Sequence, residues 1–218
     1  MHPGGSIFQN QASTTPELIA NALRSAILQG RYKANQPLRQ DLIAEELGVS
    51  KIPLREALVQ LKAEGLVRFM PKRGAVVSKL SAAEVEEIYA MRIALETLAI
   101  EKAVPRLQPS DLIRAQSVLD IIDSGAEKCQ WGDLNWEFHA TLYQTADMPL
   151  LMQTIQNLHN NVVRYLIIYL DQLSASDLSQ KEHWALLSAC REKRVATAKK
   201  VLAAHLRHAS ERLVAYLS

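Results

Sequence analysis

Apolar residues recur along most of this chain at three- and four-residue spacing, the pattern of amphipathic helices. Leu18, Ile19, Ala22, Leu23, Ala26 and Ile27 form one such stripe. Thr15-Pro16 opens it as a helix start, and Gly30 closes it. A short helix is predicted over Arg39 to Leu47. Gly48 ends it, because glycine takes the left-handed position beyond a helix without steric cost. Ser50 is then placed to cap a second helix with its hydroxyl. Pro53 in that helix's first turn forfeits no hydrogen bond. Leu54, Ala57, Leu58 and Leu61 face a core, while Lys51, Arg55 and Lys62 stay on or near the other side. The period then changes. Leu66–Phe69 and Ala75–Ser78 are short β-prone runs around Met70-Pro71-Lys72-Arg73-Gly74, a turn marked by Pro and Gly.

Helix, tight glycine turn and a second helix with basic residues at its exposed start suit a helix-turn-helix or a plain helical hairpin with a solvated face. The hairpin that follows favours the first reading, since a helix-turn-helix backed by a basic-tipped β-hairpin is a winged helix. Lys72 and Arg73 at the tip would lie beside a duplex, where cations release counterions from phosphate.

Lys79-Leu80 runs directly into Ser81-Ala82-Ala83-Glu84, a capping-box pattern, so the boundary falls at Lys79–Ser81 with almost no linker. Movement of the wing is therefore expected to be tied to the next domain. Helices are predicted over Ser81–Val104, Ser110–Ser124, Asp133–Ala146, Leu150–Leu173, Leu178–Glu192 and Arg194–Leu217. In the first of these Val85, Ile88, Met91, Leu95, Leu98 and Ala99 are expected inside. The fold class is all-α dominated: a flexible arm over 1–14, a winged helix-turn-helix with a small hairpin wing over 15–79, and an antiparallel six-helix bundle over 81–218.

Charge sharpens this division. The net charge of +2 says little, but residues 1–80 carry 11 Lys and Arg against 6 Asp and Glu, while residues 81–218 carry 14 against 17. A basic first third joined to a mildly acidic remainder fits a DNA-binding module attached to something else. The longest apolar run, Leu166–Leu170, is far short of a membrane span, and no secretion signal opens the chain. Cys129 and Cys190 are isolated, without a CxxC pair, and read as reduced thiols. Together these predict a cytoplasmic protein with no membrane partner.

One constellation in the second domain carries chemistry. Asn135 and His139 are four apart on one helical face, and His183 and His205 each sit among apolar residues on later helices. Three imidazoles and one oxygen could bind a divalent metal with positions left open. The alternative is three hydrogen-bonded core histidines. His159 and His208 read as surface or partly buried residues, and His2 belongs to the arm. Tyr143 and Arg164 are pocket candidates from helical phase. Glu137 beside His139 points elsewhere on the helix, so no hydrolase base and nucleophile assemble.

The motifs LRSAILQGRYKANQPL (Leu23–Leu38), LIAEELGVSKIPLREALVQLKAEGLV (Leu42–Val67) and PKRGAVV (Pro71–Val77) resemble the GntR family of bacterial transcription regulators. The downstream pattern Asn135…Phe138-His139, His183 and His205-Leu206 resembles the FadR-like branch, whose all-helical FCD-type domain binds metal and ligand. The resemblance spans nearly the whole chain. It implies DNA contacts at Ser50, Lys51, Arg55, Arg73 and Gly74, with Lys51 standing where relatives usually carry Arg. Asp41 sits where some relatives place a DNA-contacting Arg. It implies a zinc site, or nickel or manganese, on Asn135, His139, His183 and His205, with Asn where relatives carry Asp or Asn. Asn brings no charge and ligates more weakly than a carboxylate.

Arg92 matches an arginine that pairs with an anionic effector, although Glu96 four residues on is an equally good partner. The implied function is a ligand-responsive regulator, in the manner of a repressor: a homodimer reading an inverted repeat in double-stranded DNA and answering a small carboxylate. Two other readings compete, a metal-dependent enzyme acting on a small acid with a DNA-targeting module, and a constitutive DNA binder whose helical domain only dimerises.

Overall fold

The computed structural model describes residues 15–126, 130–173 and 176–217, without the side chains of Arg164 and residues 166–177. The arm with His2, Cys129 and the Arg164 side chain lie outside the described residues. The chain divides after Ser78 into two compact units.

The first unit holds α1 (Thr15–Leu28), α2 (Gln40–Glu46), α3 (Lys51–Ala63), β1 (Val67–Met70) and β2 (Gly74–Val77). Gly48 is left-handed, at φ +63°. Its N–H donates to the Glu45 carbonyl, and the Val49 N–H donates to the Ala44 carbonyl. This paired closure satisfies the carbonyls that α2 leaves open. Ser50 precedes α3 in an extended conformation, but its side chain makes no capping bond. Position and backbone alone turn the chain there. Leu54, Ala57, Leu58 and Leu61 are fully buried with Ile27 and Leu66. The α1 stripe is rotated from expectation: Leu18 is 57% exposed and Ala22 is exposed, while Ala20 is buried. The two strands pair antiparallel from Val67↔Val77 to Met70↔Gly74. Lys72 at the tip is left-handed, at φ 61°.

Among the described residues the second unit holds six helices: α4 (Ala82–Ala103), α5 (Pro109–Asp123), α6 (Trp131–Tyr143), α7 (Pro149–Leu173), α8 (Ser176–Arg191) and α9 (Val195–Leu217). Short 3-10 turns follow α4 and α6. The Ser81 hydroxyl accepts from the Glu84 N–H, and the Glu84 carboxylate accepts from the Ser81 N–H, completing the box at the start of α4. α4 packs along α9, α5 against α6 and α8, and α7 against α4 and α6. Phe138, Tyr143, Ile100, Leu119 and Ile155 fill the core.

The inward face of α4 differs from its apolar periodicity. Met91 is 40% exposed and Leu98 36%, while Arg92 and Glu96 are buried. A charged pair that neutralises itself can occupy core positions that the apolar stripe seemed to claim. Lys193, left-handed at φ 53°, turns the chain between α8 and α9. Its ammonium donates to the carbonyls of Val104, Pro105 and Leu107. Cys190 is a free, buried thiol, pushed up to about 12 by burial and hence unreactive.

Candidate functional site

Two places in the chain gather the residues singled out above. On the first unit, Lys51, Arg55, Arg73 and Gly74 line one groove of about 290 Å³, together with Gln40 and Asp41. Ser50 is exposed at the head of α3 outside that lining. Two of these cations are already held. Lys51 forms an ion pair with Asp41, and the Arg55 Nε–H donates to Gln40 Oε1 at 3.1 Å. Both partners come from the start of α2, which the tight turn folds back beside the start of α3. Ile52, between the two cations, is 69% exposed.

In the second unit, α6 carries Asn135 and His139, α8 carries His183, and α9 carries His205, all four buried. One ring nitrogen from each histidine lies within 4.8 Å of the others. The ring centroids are 4.7 to 5.3 Å apart.

The outer partners decide which nitrogen is available. The Tyr143 hydroxyl donates to Glu96 Oε2 at 2.7 Å, so its oxygen is left to accept from His139 Nδ1 at 3.0 Å. Gln180 Nε2 donates to the Leu119 carbonyl, which leaves Gln180 Oε1 to accept from His183 Nδ1 at 3.2 Å. Glu182 accepts from His205 Nδ1 at 2.8 Å and from His208 Nδ1 at 2.6 Å. Each ring of the triad therefore carries its proton on Nδ1, which leaves the Nε2 lone pairs for the centre.

Nε2 of His139 and of His183 is buried without a hydrogen-bond partner. A buried acceptor left without a donor costs about 1–3 kcal/mol. Burial, followed by the neighbouring histidines, holds His139 well below the ordinary imidazole range, and burial and His205 do the same for His183. Neutral imidazoles with unshared inner lone pairs are what a divalent metal requires, so these residues fit one. Burial would raise the Glu182 carboxyl, but the hydrogen bonds from His205 and His208 outweigh it and bring it down to about 2.

Beside the triad is a narrow, partly open space of about 20 Å³, whose wall includes Arg92, Asn135, His159, His205 and Arg212. His139 and His183 are not part of that wall. Arg92 is engaged: its Nε–H donates to Glu96 Oε1 at 2.7 Å, and its guanidinium stands 5.0 Å from the Tyr89 ring centroid. The intrahelical pair is thus made, and Arg92 faces the space as well. Glu137 is partly exposed and accepts from Arg114, consistent with its pointing away from His139.

His159 corrects the sequence reading: it is buried, against Trp136. Burial first, and the Arg92 charge second, lower it from 6.5 to about 3, against the pull of the Gly132 carbonyl. Its folded value lies below its unfolded one, so between these two values the unfolded chain binds a proton that the folded chain refuses. Stability is therefore lost as the pH falls through this window. For the chain kept in chelator, His159 alone should cost the helical unit about 2 kcal/mol between pH 7.5 and pH 5. Urea titrations at the two pH values test this, and His159→Phe should shrink the difference by about that amount, leaving the share of His139 and His183, which burial also holds low.

Sequence reasoning missed Gln180, Glu182 and Arg212. Gln180 lies three residues before His183 and so was within reach of helical phase. Glu182 acts across two helices and left no such signal.

Known proteins give this geometry its context. Residues 15–77 match the bacterial regulatory proteins of the gntR family, and residues 87–208 match the FCD domain. The HTH-type transcriptional repressor RspR of Escherichia coli (strain K12) is 27% identical over 205 residues, spanning 93% of this chain and 90% of that one. The crystal structure of a GntR-family transcriptional regulator from Pseudomonas syringae pv. tomato str. DC3000 is 34% identical, with a TM-score of 0.60, covering 93% of this chain and 86% of the other. E. coli McbR/YncC shares the fold at a TM-score of 0.84 and 24% identity, over 95% and 100% of the two chains. The class of the chain is thus regulator and not enzyme. It belongs to the GntR family of bacterial transcription regulators, in the branch whose second domain is an FCD domain.

Proposed function

We propose that the chain acts in the cytoplasm as a ligand-responsive repressor. A homodimer would set two winged helices on an inverted repeat, since one module of about 65 residues offers too few contacts for tight binding alone. The arm 1–14, the winged helix 15–79 and the effector domain 81–218 are its parts. The observation that carries the reading is the triad, with three Nδ1 atoms committed outward and the inner lone pairs left over. His139, His183 and His205 would hold zinc, nickel or manganese, with Asn135 as a neutral fourth oxygen. A bound divalent ion would supply positive charge and open positions to a small organic acid. Arg92, and Arg212 on α9, would meet that acid's carboxylate.

The narrow space of about 20 Å³ admits little more than one water. An organic acid must therefore select an arrangement in which the walls part, and those walls come from α4, α6, α7, α8 and α9. Val162 and Val163 of α7 line the same space, and Tyr165 of that helix accepts the Leu80 N–H at 2.9 Å. Leu80 is the second residue of the second compact unit, just before the effector domain proper, so a shift of α7 would reach the chain where the winged helix ends. Effector changes operator affinity only as far as it binds one arrangement better than the other.

At the DNA, Ser50, Lys51, Arg55, Arg73 and Gly74 would make the contacts, and exposed Ile52 suits thymine methyl groups. Arg55→Ala should cost about 1–3 kcal/mol of specific binding. Asp41→Asn should release Lys51 to phosphate and steepen the salt dependence of log affinity by about one. Footprinting on an operator selected from randomised DNA tests the reading. Two protected half-sites, with affinity altered by zinc together with acetate or succinate, are expected. A single half-site bound by a monomer, or affinity indifferent to both additions, contradicts it.

A further inference from the structure

The three outer partners of the histidine triad differ in charge. His139 leans on the Tyr143 hydroxyl, and the Glu96 carboxylate behind it is matched by Arg92. His183 leans on the neutral amide of Gln180. His205 alone leans directly on an acid, Glu182, whose side chain is only 15% exposed. Among the described residues the grouping able to hold an ion contains three histidines and no carboxylate. Asn135 adds a neutral oxygen. An ion there would meet no negative charge among its ligands, and a protein interior does not hold an uncompensated +2 charge cheaply.

We propose that Glu182 is a positioning residue that supplies the negative charge of this centre through His205, and so sets how tightly the ion is held. A carboxylate on Nδ1–H fixes the tautomer and ring orientation and raises the donor strength of Nε2. Glu182 thus does from outside what a carboxylate at position 135 would do from within. The arrangement makes the two positions interchangeable: charge lost at 182 is recoverable at 135. The proposal rests on the metal reading above.

Its test uses the full-length chain, stripped with chelator and titrated with zinc against a chromophoric competitor. Glu182→Gln keeps an acceptor for His205 and removes the charge, and it should weaken zinc about 10- to 100-fold. Adding Asn135→Asp to that variant should restore most of the affinity. With Co²⁺ in place of zinc, the visible bands of Glu182→Gln should shift as the His205 donor weakens, a change that a merely structural role would not produce. Glu182→Asp, which withdraws the charge by one methylene, serves as second variant should Glu182→Gln lose helicity, and its affinity should fall in between. Wild-type affinity in both variants overturns the proposal. So does a double variant as weak as Glu182→Gln alone. A wild-type chain that holds no zinc overturns the metal reading itself, and this proposal with it.

Discussion

His183→Ala is expected to emerge from gel filtration without its divalent ion and to bind operator with an affinity that zinc and acetate no longer change. Loss of an outer partner of a metal ligand costs about 10- to 100-fold in affinity, and loss of a ligand should cost more. His183 is buried between His139 and His205, its ring centroids 5.2 and 4.7 Å from theirs. No other imidazole of the triad can take its place without leaving its own outer partner. The fold should survive, because the truncation also removes a buried nitrogen that had no hydrogen-bond partner. A helical circular-dichroism spectrum and an operator affinity equal to that of the chelator-stripped wild type would separate loss of the site from loss of the domain. A variant that retained a full metal complement would return the three histidines to the core.

The second large effect is expected at Glu96. Its carboxylate is fully buried and joins Arg92 to Tyr143, each at 2.7 Å. Glu96→Ala leaves the Arg92 guanidinium uncompensated inside the bundle, which should destabilise the helical unit by about 3–5 kcal/mol. Replacing both members, as Arg92→Met with Glu96→Leu, should come much closer to wild type, because no buried charge is then left alone. Trp131, Trp136 and Trp184 are the chain's three tryptophans and all lie in the helical unit, so fluorescence in urea reports that unit by itself. A Glu96→Ala chain within about 1 kcal/mol of wild type would mean that water reaches Arg92 and that the site is wetter than its burial indicates.

Much of this architecture is written in local pattern. Gly48, the buried stripe of α3 and the Ser81–Glu84 box each follow from residues within a turn or two, and the structure has them in place. The α4 interior is where pattern failed. Met91 and Leu98 turn outward because Arg92 and Glu96 neutralise one another inside, and apolar periodicity cannot register a polar pair that satisfies itself. Leu18 and Ala22 were misplaced for a simpler reason: a helix with apolar residues on adjacent faces has more than one plausible stripe. Ser50 sits where a cap belongs yet makes no capping bond, since residue type alone does not fix the rotamer.

For the candidate site, the histidines were visible as residues but their availability was not. Tyr143 and Gln180 hold their rings within one helix turn. Glu182 reaches His205 only because α8 packs on α9, and that packing is a property of the fold.

In the proposed reading the triad governs the winged helix. One operator titration with acetate present throughout tests it, on a single preparation of the chain as purified, after chelation, and after zinc is returned, with elemental analysis at each stage. About one ion per chain, an operator affinity that shifts on removal and recovers on return, and no such shift in His183→Ala are expected. An affinity constant through all three stages, in a chain that gains and loses zinc, would contradict the account.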